Sequence, residues 1–216
     1  MKSYRLISAI YSGAHPFHLL EGVNDVVVID DIAFPFQPGD ILIVWGGADI
    51  SPALYKKGRS SMGNGSPVPC HRDIIEWGLM QNAKENKIPI IGVCRGAQML
   101  CALEGGHLIQ HVDNHGGTHL VHTDLGDFHT NSIHHQMMVP VGTYELLAWT
   151  DTRSGRYFDV DDQGEDVILG SHPENKDPEY IFYPEIKGFA IQWHPEMMPA
   201  GTAATQYLLT HIQKNV

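Results

Sequence analysis

The nine residues Gly92-Val-Cys-Arg-Gly-Ala-Gln-Met-Leu100 constrain this chain more than any other stretch. An apolar run, Ile88-Pro-Ile-Ile-Gly-Val93, ends on Cys94 and gives way at once to a helix-forming stretch from Arg95. Glycine stands two residues to either side of the cysteine. That is the spacing of a nucleophile elbow, with sulfur where serine is usual. A residue on such a strand-to-helix turn projects into the crevice above the carboxyl end of a sheet. It also sits at a helix N-terminus, whose free N–H groups and dipole favour thiolate over thiol. A buried core cysteine ahead of a helix is the competing reading, so the rest of the chain has to decide.

The surrounding pattern is that of an α/β protein. Tyr4–Ile10, Asp25–Ile29 and Asp40–Trp45 are apolar, β-branched runs of strand length, the last closed by Gly46-Gly47. Arg72–Glu85 has helical spacing, with Ile75, Leu79 and Ala83 inward, and it precedes the strand 88–93. This β-α-β-α order predicts a flavodoxin-like, mostly parallel central sheet with helices on both faces. After residue 105 the signals become short strands (Leu146–Trp149, Val167–Leu169, Tyr180–Tyr183, Gly188–Trp193), then a final helix over Ala200–Gln213. They predict a small antiparallel sheet in the C-terminal half. Residues 151–187 read as irregular and acidic, with Asp159, Asp161, Asp162, Glu165 and Asp166 in a solvated loop. Residues 1–216 are read as one domain, since no linker or repeat interrupts them.

Charge and cysteine content narrow the function classes. A formal net charge of −11 argues against nucleic-acid binding through a general basic field. No apolar run reaches membrane-spanning length, so no membrane partner is expected. The first dozen residues lack a signal-peptide core, and three cysteines are too few for a disulfide framework. Both point to a cytoplasmic protein.

A cysteine nucleophile needs a base within hydrogen-bond reach and a third group to orient that base. Gln192-Trp-His-Pro-Glu196 supplies both at the end of a predicted strand. Alternate residues of an extended segment point the same way, so Glu196 can hold one ring nitrogen of His194 while the other faces Cys94. The backbone N–H of Arg95 and one from the Gly46-Gly47 turn are natural oxyanion donors.

With these residues assembled, the chain resembles a class I glutamine amidotransferase, closest to the γ-glutamyl-γ-aminobutyrate hydrolase (peptidase C26-like) branch. Six segments carry the resemblance in order: Trp45–Tyr55, Arg72-Asp73, Gly92–Gln98, Gly105–Gln110, Asn131–Gln136 and Gln192–Glu196. It implies a Cys94–His194–Glu196 triad and an oxyanion hole from the Gly47 and Arg95 amides. It also implies that Gly46, Gln98, Asn131, Ser132, His134, His135 and Gln136 contact a γ-glutamyl substrate. No metal or organic cofactor is implied. A synthase or amide-ligase partner and a homodimer are both compatible with it. One departure stands out: the family usually has proline before the glycine pair, where this chain has Trp45.

Three functions compete at this point. The first is a free-standing hydrolase releasing glutamate and an amine or ammonia. The second is a glutaminase subunit feeding ammonia to a separate synthase or ligase. The third is a non-catalytic ligand-binding relative. A cysteine-bearing α/β-hydrolase fits less well, because its acid would lie between nucleophile and histidine. His107, His111, His115 and His119 recur every four residues, but Gly105-Gly106 and Gly116-Gly117 break any helix there. The spacing therefore predicts no metal site.

Overall fold

The computed structural model describes residues 3–10, 13–151 and 156–216. The N-terminal half contributes strands β1 (Tyr4–Ala9), β2 (Val23–Ile29), β3 (Asp40–Val44) and β4 (Ile90–Val93), with helix α1 (His71–Glu85) before β4 and α2 (Arg95–Leu103) after it. The second half adds β5 (His107–Ile109), β6 (His111–Val112), β7 (Gly117–Thr123), β8 (Phe128–Ser132), β9 (Met137–Val139) and β10 (Glu145–Asp151). It ends with β11 (Tyr157–Val160), β12 (Asp166–Leu169), β13 (Lys176–Tyr183), β14 (Gly188–Ile191) and α3 (Ala203–Asn215).

Nine strands form one sheet in the order β2-β1-β3-β4-β14-β13-β10-β7-β8. The pairings from β2 to β14 are parallel, and those from β14 to β8 are antiparallel. The flavodoxin-like expectation therefore holds for one half, while the hairpins extend the same sheet rather than forming only a separate one. A three-stranded antiparallel sheet, β12-β11-β6, does stand apart, as does the pair β5-β9. Every residue of β3, β4 and β14 is buried, which explains their continuous apolar runs: both faces are covered. One face packs under α1 and α2; the other packs under α3 with Phe17, Trp45, Tyr180 and Trp193.

The segment 151–187 corrects the reading of an irregular acidic loop. Beside the expected strands at Val167–Leu169 and Tyr180–Tyr183, found as β12 and β13, its described residues hold the unforeseen β11. Asp159 is buried and paired with Lys57 Nζ at 2.5 Å, while Asp166 accepts the Ser61 N–H at 3.0 Å. These carboxylates are structural partners of the polar loop after Tyr55.

Register then places the site. Gly92 of β4 pairs with Val44 of β3 and with Ala190 of β14. The three strands run parallel, so Gly46, Cys94 and the segment leading to His194 leave the sheet side by side. Cys94 N–H donates to Ile191 C=O at 2.6 Å, binding the elbow to the strand that delivers the histidine.

Candidate active site

Cys94 has φ +50° and ψ −107°, a conformation unfavourable for a residue with a Cβ. Both flanking glycines are required by contact. A Cβ on Gly92 would lie 2.5 Å from the Gly96 carbonyl oxygen, and one on Gly96 would enter the Val44 carbonyl of β3. The elbow is thus wedged between its own helix and the next strand. The side chain it presents is nearly buried, 6% exposed.

Opposite it, His194 Nδ1 lies 2.6 Å from Glu196 Oε1, while Nε2 has no hydrogen-bond partner. Glu196 is held by a 3-10 turn over Pro195–Met197, and Pro195 fixes the chain direction between the two groups. A Cβ on Gly46 would fall 2.5 Å from His194 Cε1 and 3.4 Å from Cys94 Cβ, so the Gly46 backbone forms the floor beneath both groups. Burial disfavours the charged imidazolium, but the Cys94 thiol and the Glu196 carboxylate outweigh it and raise His194 to about 10. The arrangement can therefore hold a proton on His194 at neutral pH.

The Gly46-Gly47 turn is held from α1. Arg72 Nη2 donates to the Gly46 carbonyl at 3.0 Å and its Nε pairs with Glu76 Oε1 at 2.9 Å. In a planar trans peptide the carbonyl and the following N–H point in opposite directions. The Gly47 N–H is thereby aimed away from Arg72. Gly47 has φ +148°, and a Cβ there would collide with the Arg72 guanidinium. Arg95 opens α2, where its backbone N–H has no partner within the helix. Its buried guanidinium pairs with Asp73 at 2.5 Å and with Glu76. Glu76 thus bridges Arg95, which follows Cys94, and Arg72, which holds the glycine turn. Arg72 is legible in the sequence only as the first residue of a matched pair; its role emerges from the fold.

Trp45, in the position usually taken by proline, is fully enclosed. Its Nε1 donates to Ser8 Oγ at 2.8 Å, and its ring lies 5.1 Å from that of His15 and 5.9 Å from that of Phe17. The indole anchors the turn by packing, where a proline would stiffen it by covalent geometry. His15, unremarked in the sequence, is buried beside this ring, and burial pushes its pKa down despite the field of Glu196.

The residues expected around the substrate divide into separate places. Gln98 is buried and donates from Nε2 to the Gln136 carbonyl at 3.4 Å. Gln136 lies inward with an unpartnered Oε1. Asn131 grips the histidine's main chain from both sides: Nδ2 donates to the His194 carbonyl at 3.0 Å, and Oδ1 accepts the His194 N–H at 2.9 Å. Ser132 Oγ is committed to the His115 carbonyl. His134 points into the interior towards Glu179, and His135 pairs with Asp49 at 3.0 Å beside Asn64. Cys94, His194, Glu196 and Gly46 converge; Asn131 supports that group from behind; Ser132, His134 and His135 are engaged elsewhere. Among the described residues no helix is long and apolar enough to cross a membrane.

Known proteins agree with this architecture. A glutamine amidotransferase-like protein of Lactococcus lactis, YvdE, is 30% identical over 160 residues, covering 73% of this chain and 66% of the relative. The γ-glutamyl-CDP-amidate hydrolase of Campylobacter jejuni is 28% identical over 125 residues, covering 58% and 51%. The chain thus spans between half and two thirds of these relatives' lengths. A glutamine amidotransferase from Thermotoga maritima shares the fold, with a TM-score of 0.59 at 12% identity over 91% of this chain and 77% of the other. The Peptidase C26 family model matches residues 29–196, and the chain belongs to that family.

Proposed function

We propose that the chain hydrolyses a γ-glutamyl amide through a glutamyl thioester on Cys94. The observation that carries this reading is the meeting of a strained elbow cysteine with a His194–Glu196 pair over the Gly46 backbone. Cys94 thiolate adds to the γ-carbonyl carbon, and the Gly47 and Arg95 N–H groups receive the developing oxyanion. As the tetrahedral adduct collapses, the C–N bond breaks and imidazolium His194 gives its proton to the departing nitrogen. Ammonia or an amine leaves. Neutral His194 then takes a proton from water as the hydroxyl oxygen attacks the thioester. The C–S bond breaks, glutamate departs and the thiolate–imidazolium pair is restored. Glu196 holds the ring in the required tautomer throughout.

Hydrolysis by the isolated chain is favoured over ammonia supply to a synthase or ligase. A related protein is named as a hydrolase of a γ-glutamyl amidate, and the supports of the glycine turn, Arg72 and Trp45, all come from this chain. Product analysis with glutamine and a panel of γ-glutamyl amines tests the reading, with Cys94→Ala alongside. Stoichiometric glutamate and amine from wild type alone is expected. Turnover that appears only with an added synthase, or that survives in Cys94→Ala, contradicts it.

A further inference from the structure

A second constellation lies behind the catalytic histidine and rests on separate observations. His115 comes from the loop before β7, His119 from β7, His134 from the loop after β8 and Glu179 from β13. Their side chains are completely buried. His115, His119 and Glu179 each offer a ligand atom, all within 4.8 Å of one another. Measured from Glu179 Oε1, His119 Nε2 lies at 3.0 Å, His134 Nε2 at 3.4 Å and His115 Nδ1 at 3.8 Å. A tetrahedral ion with nitrogen and oxygen ligands at about 2.0–2.1 Å separates neighbouring ligand atoms by about 3.3 Å. The three spacings to Glu179 Oε1 straddle that edge length, and the His115 and His119 ligand atoms lie within 4.8 Å of each other.

The inward atoms are orphans. His115 Nδ1, His119 Nε2, His134 Nε2 and both carboxylate oxygens of Glu179 have no hydrogen-bond partner. Two of the outward nitrogens, by contrast, are fixed. His115 Nε2 lies 2.8 Å from Asp177 Oδ2, which also accepts from the Tyr157 hydroxyl at 2.8 Å. His134 Nδ1 lies 3.0 Å from the Gln136 carbonyl, a contact that requires the ring to donate. A carboxylate or carbonyl behind the ring is the support that metal-ligating histidines normally have, and it turns the other nitrogen's lone pair inward.

We propose that His115, His119 and Glu179, with His134 Nε2 beside the same Glu179 oxygen, form a binding site for a zinc-class divalent cation. Three imidazoles and one carboxylate suit zinc and its neighbours better than calcium or magnesium. Helical spacing, the ground for expecting no metal, does not apply, because two loops and two strands distant in sequence bring these residues together. The ion ties these segments beside the catalytic histidine. Glu179 C=O accepts the Gln192 N–H at 2.9 Å, two residues before His194, and Asn131 of β8 holds the His194 main chain. Its role is to stiffen that seam.

Metal analysis of the full chain, freed of any affinity tag and dialysed, tests the site independently of the hydrolase reading. About one zinc per chain is expected in wild type and in Cys94→Ala. At least a tenfold loss is expected in His119→Ala and Glu179→Gln. After chelation, wild type should take up one equivalent of cobalt(II) with the strong visible absorption of a tetrahedral site. Paramagnetic shifts should appear on the His115, His119 and His134 rings, an observation that needs no variant to fold. Protein that is metal-free as purified and takes up neither zinc nor cobalt overturns the proposal. Metal that is lost in Cys94→Ala but kept in His119→Ala also overturns it, by assigning the ion to the catalytic pair.

Discussion

The cleft at Cys94 and the buried histidine nest at Glu179 use the same side chains to opposite ends. In the cleft a single carboxylate oxygen takes a single ring nitrogen, 2.6 Å from His194 Nδ1, and the other nitrogen carries no hydrogen bond. In the nest one carboxylate oxygen faces three ring nitrogens at 3.0 to 3.8 Å. A lone His–Glu pair beside a thiol sets a proton's position and so serves transfer. Three imidazoles around one carboxylate surround a point that a cation can fill. The difference lies in the number of lone pairs converging on one spot. Where glycine lines the cleft and keeps backbone N–H groups accessible, β-strands seal the nest.

Substitutions can break this comparison at either end. The largest effect is expected from Cys94→Ala, which should lower turnover by at least ~10³-fold while leaving the melting temperature near that of wild type. Loss of stability without loss of turnover would reverse the assignment of roles. Glu179→Ala should do the converse in its primary effect. Three imidazoles then face an empty site, and a loss of roughly 2–4 kcal/mol is expected from thermal or denaturant melts. Gly96→Ala would drive a methyl group into the Val44 carbonyl and should cost at least ~2 kcal/mol by the same measurement.

Arg72→Ala sharpens the account of the cleft. Freed from its guanidinium partner, the Gly46 carbonyl can rotate and misdirect the Gly47 N–H. A fall in kcat of roughly 10- to 100-fold is expected, less than loss of a whole oxyanion donor, with KM little changed. An effect confined to KM would place Arg72 on the substrate instead. The smallest change belongs to Glu196→Gln. Removing the carboxylate lowers the His194 pKa from about 10, so the alkaline limb of kcat/KM should move to lower pH. The sign for stability follows from linkage. A pKa raised on folding contributes stability that is complete below about pH 6.5 and vanishes as pH rises through about 10. The difference in melting temperature between wild type and Glu196→Gln should be greatest near pH 6.5 and shrink towards pH 10.

Much of the cleft was legible in the sequence because its logic is local. Val93-Cys94-Arg95 is a strand end, a turn and a helix start in consecutive residues, and His194 and Glu196 are two apart. Their meeting depends on register, Ile191 against Val93, which short buried strands at fixed distances from the motifs make readable. The glycine turn was legible as a turn, but its support from Arg72 lies 26 residues away in sequence. The substrate assignments of Ser132, His134 and His135 came from the resemblance alone. In the structure a Ser132–His115 bond, the Glu179 nest and an Asp49 partner occupy those side chains. The nest is not legible because four-residue spacing is a ligand pattern on a helix, while this region reads as strand and loop. The strand β7 and the loop before it bring His119 and His115 to the same residue of β13. The acidic stretch misled in a similar way: Asp159 looked solvated by composition, yet its partner Lys57 lies 102 residues distant.

The central claim is that Cys94 carries the glutamyl group. Rapid acid quenching of the enzyme with excess glutamine or a γ-glutamyl amine, followed by intact mass and peptide mapping, measures this directly. The account predicts a glutamyl adduct on the peptide containing Cys94, absent from Cys94→Ala. The adduct should persist longer in Glu196→Gln, whose histidine is a poorer base for deacylation. Glutamate released at full rate with no adduct at any quench time, or an adduct mapped to Cys70 or Cys101, would contradict it.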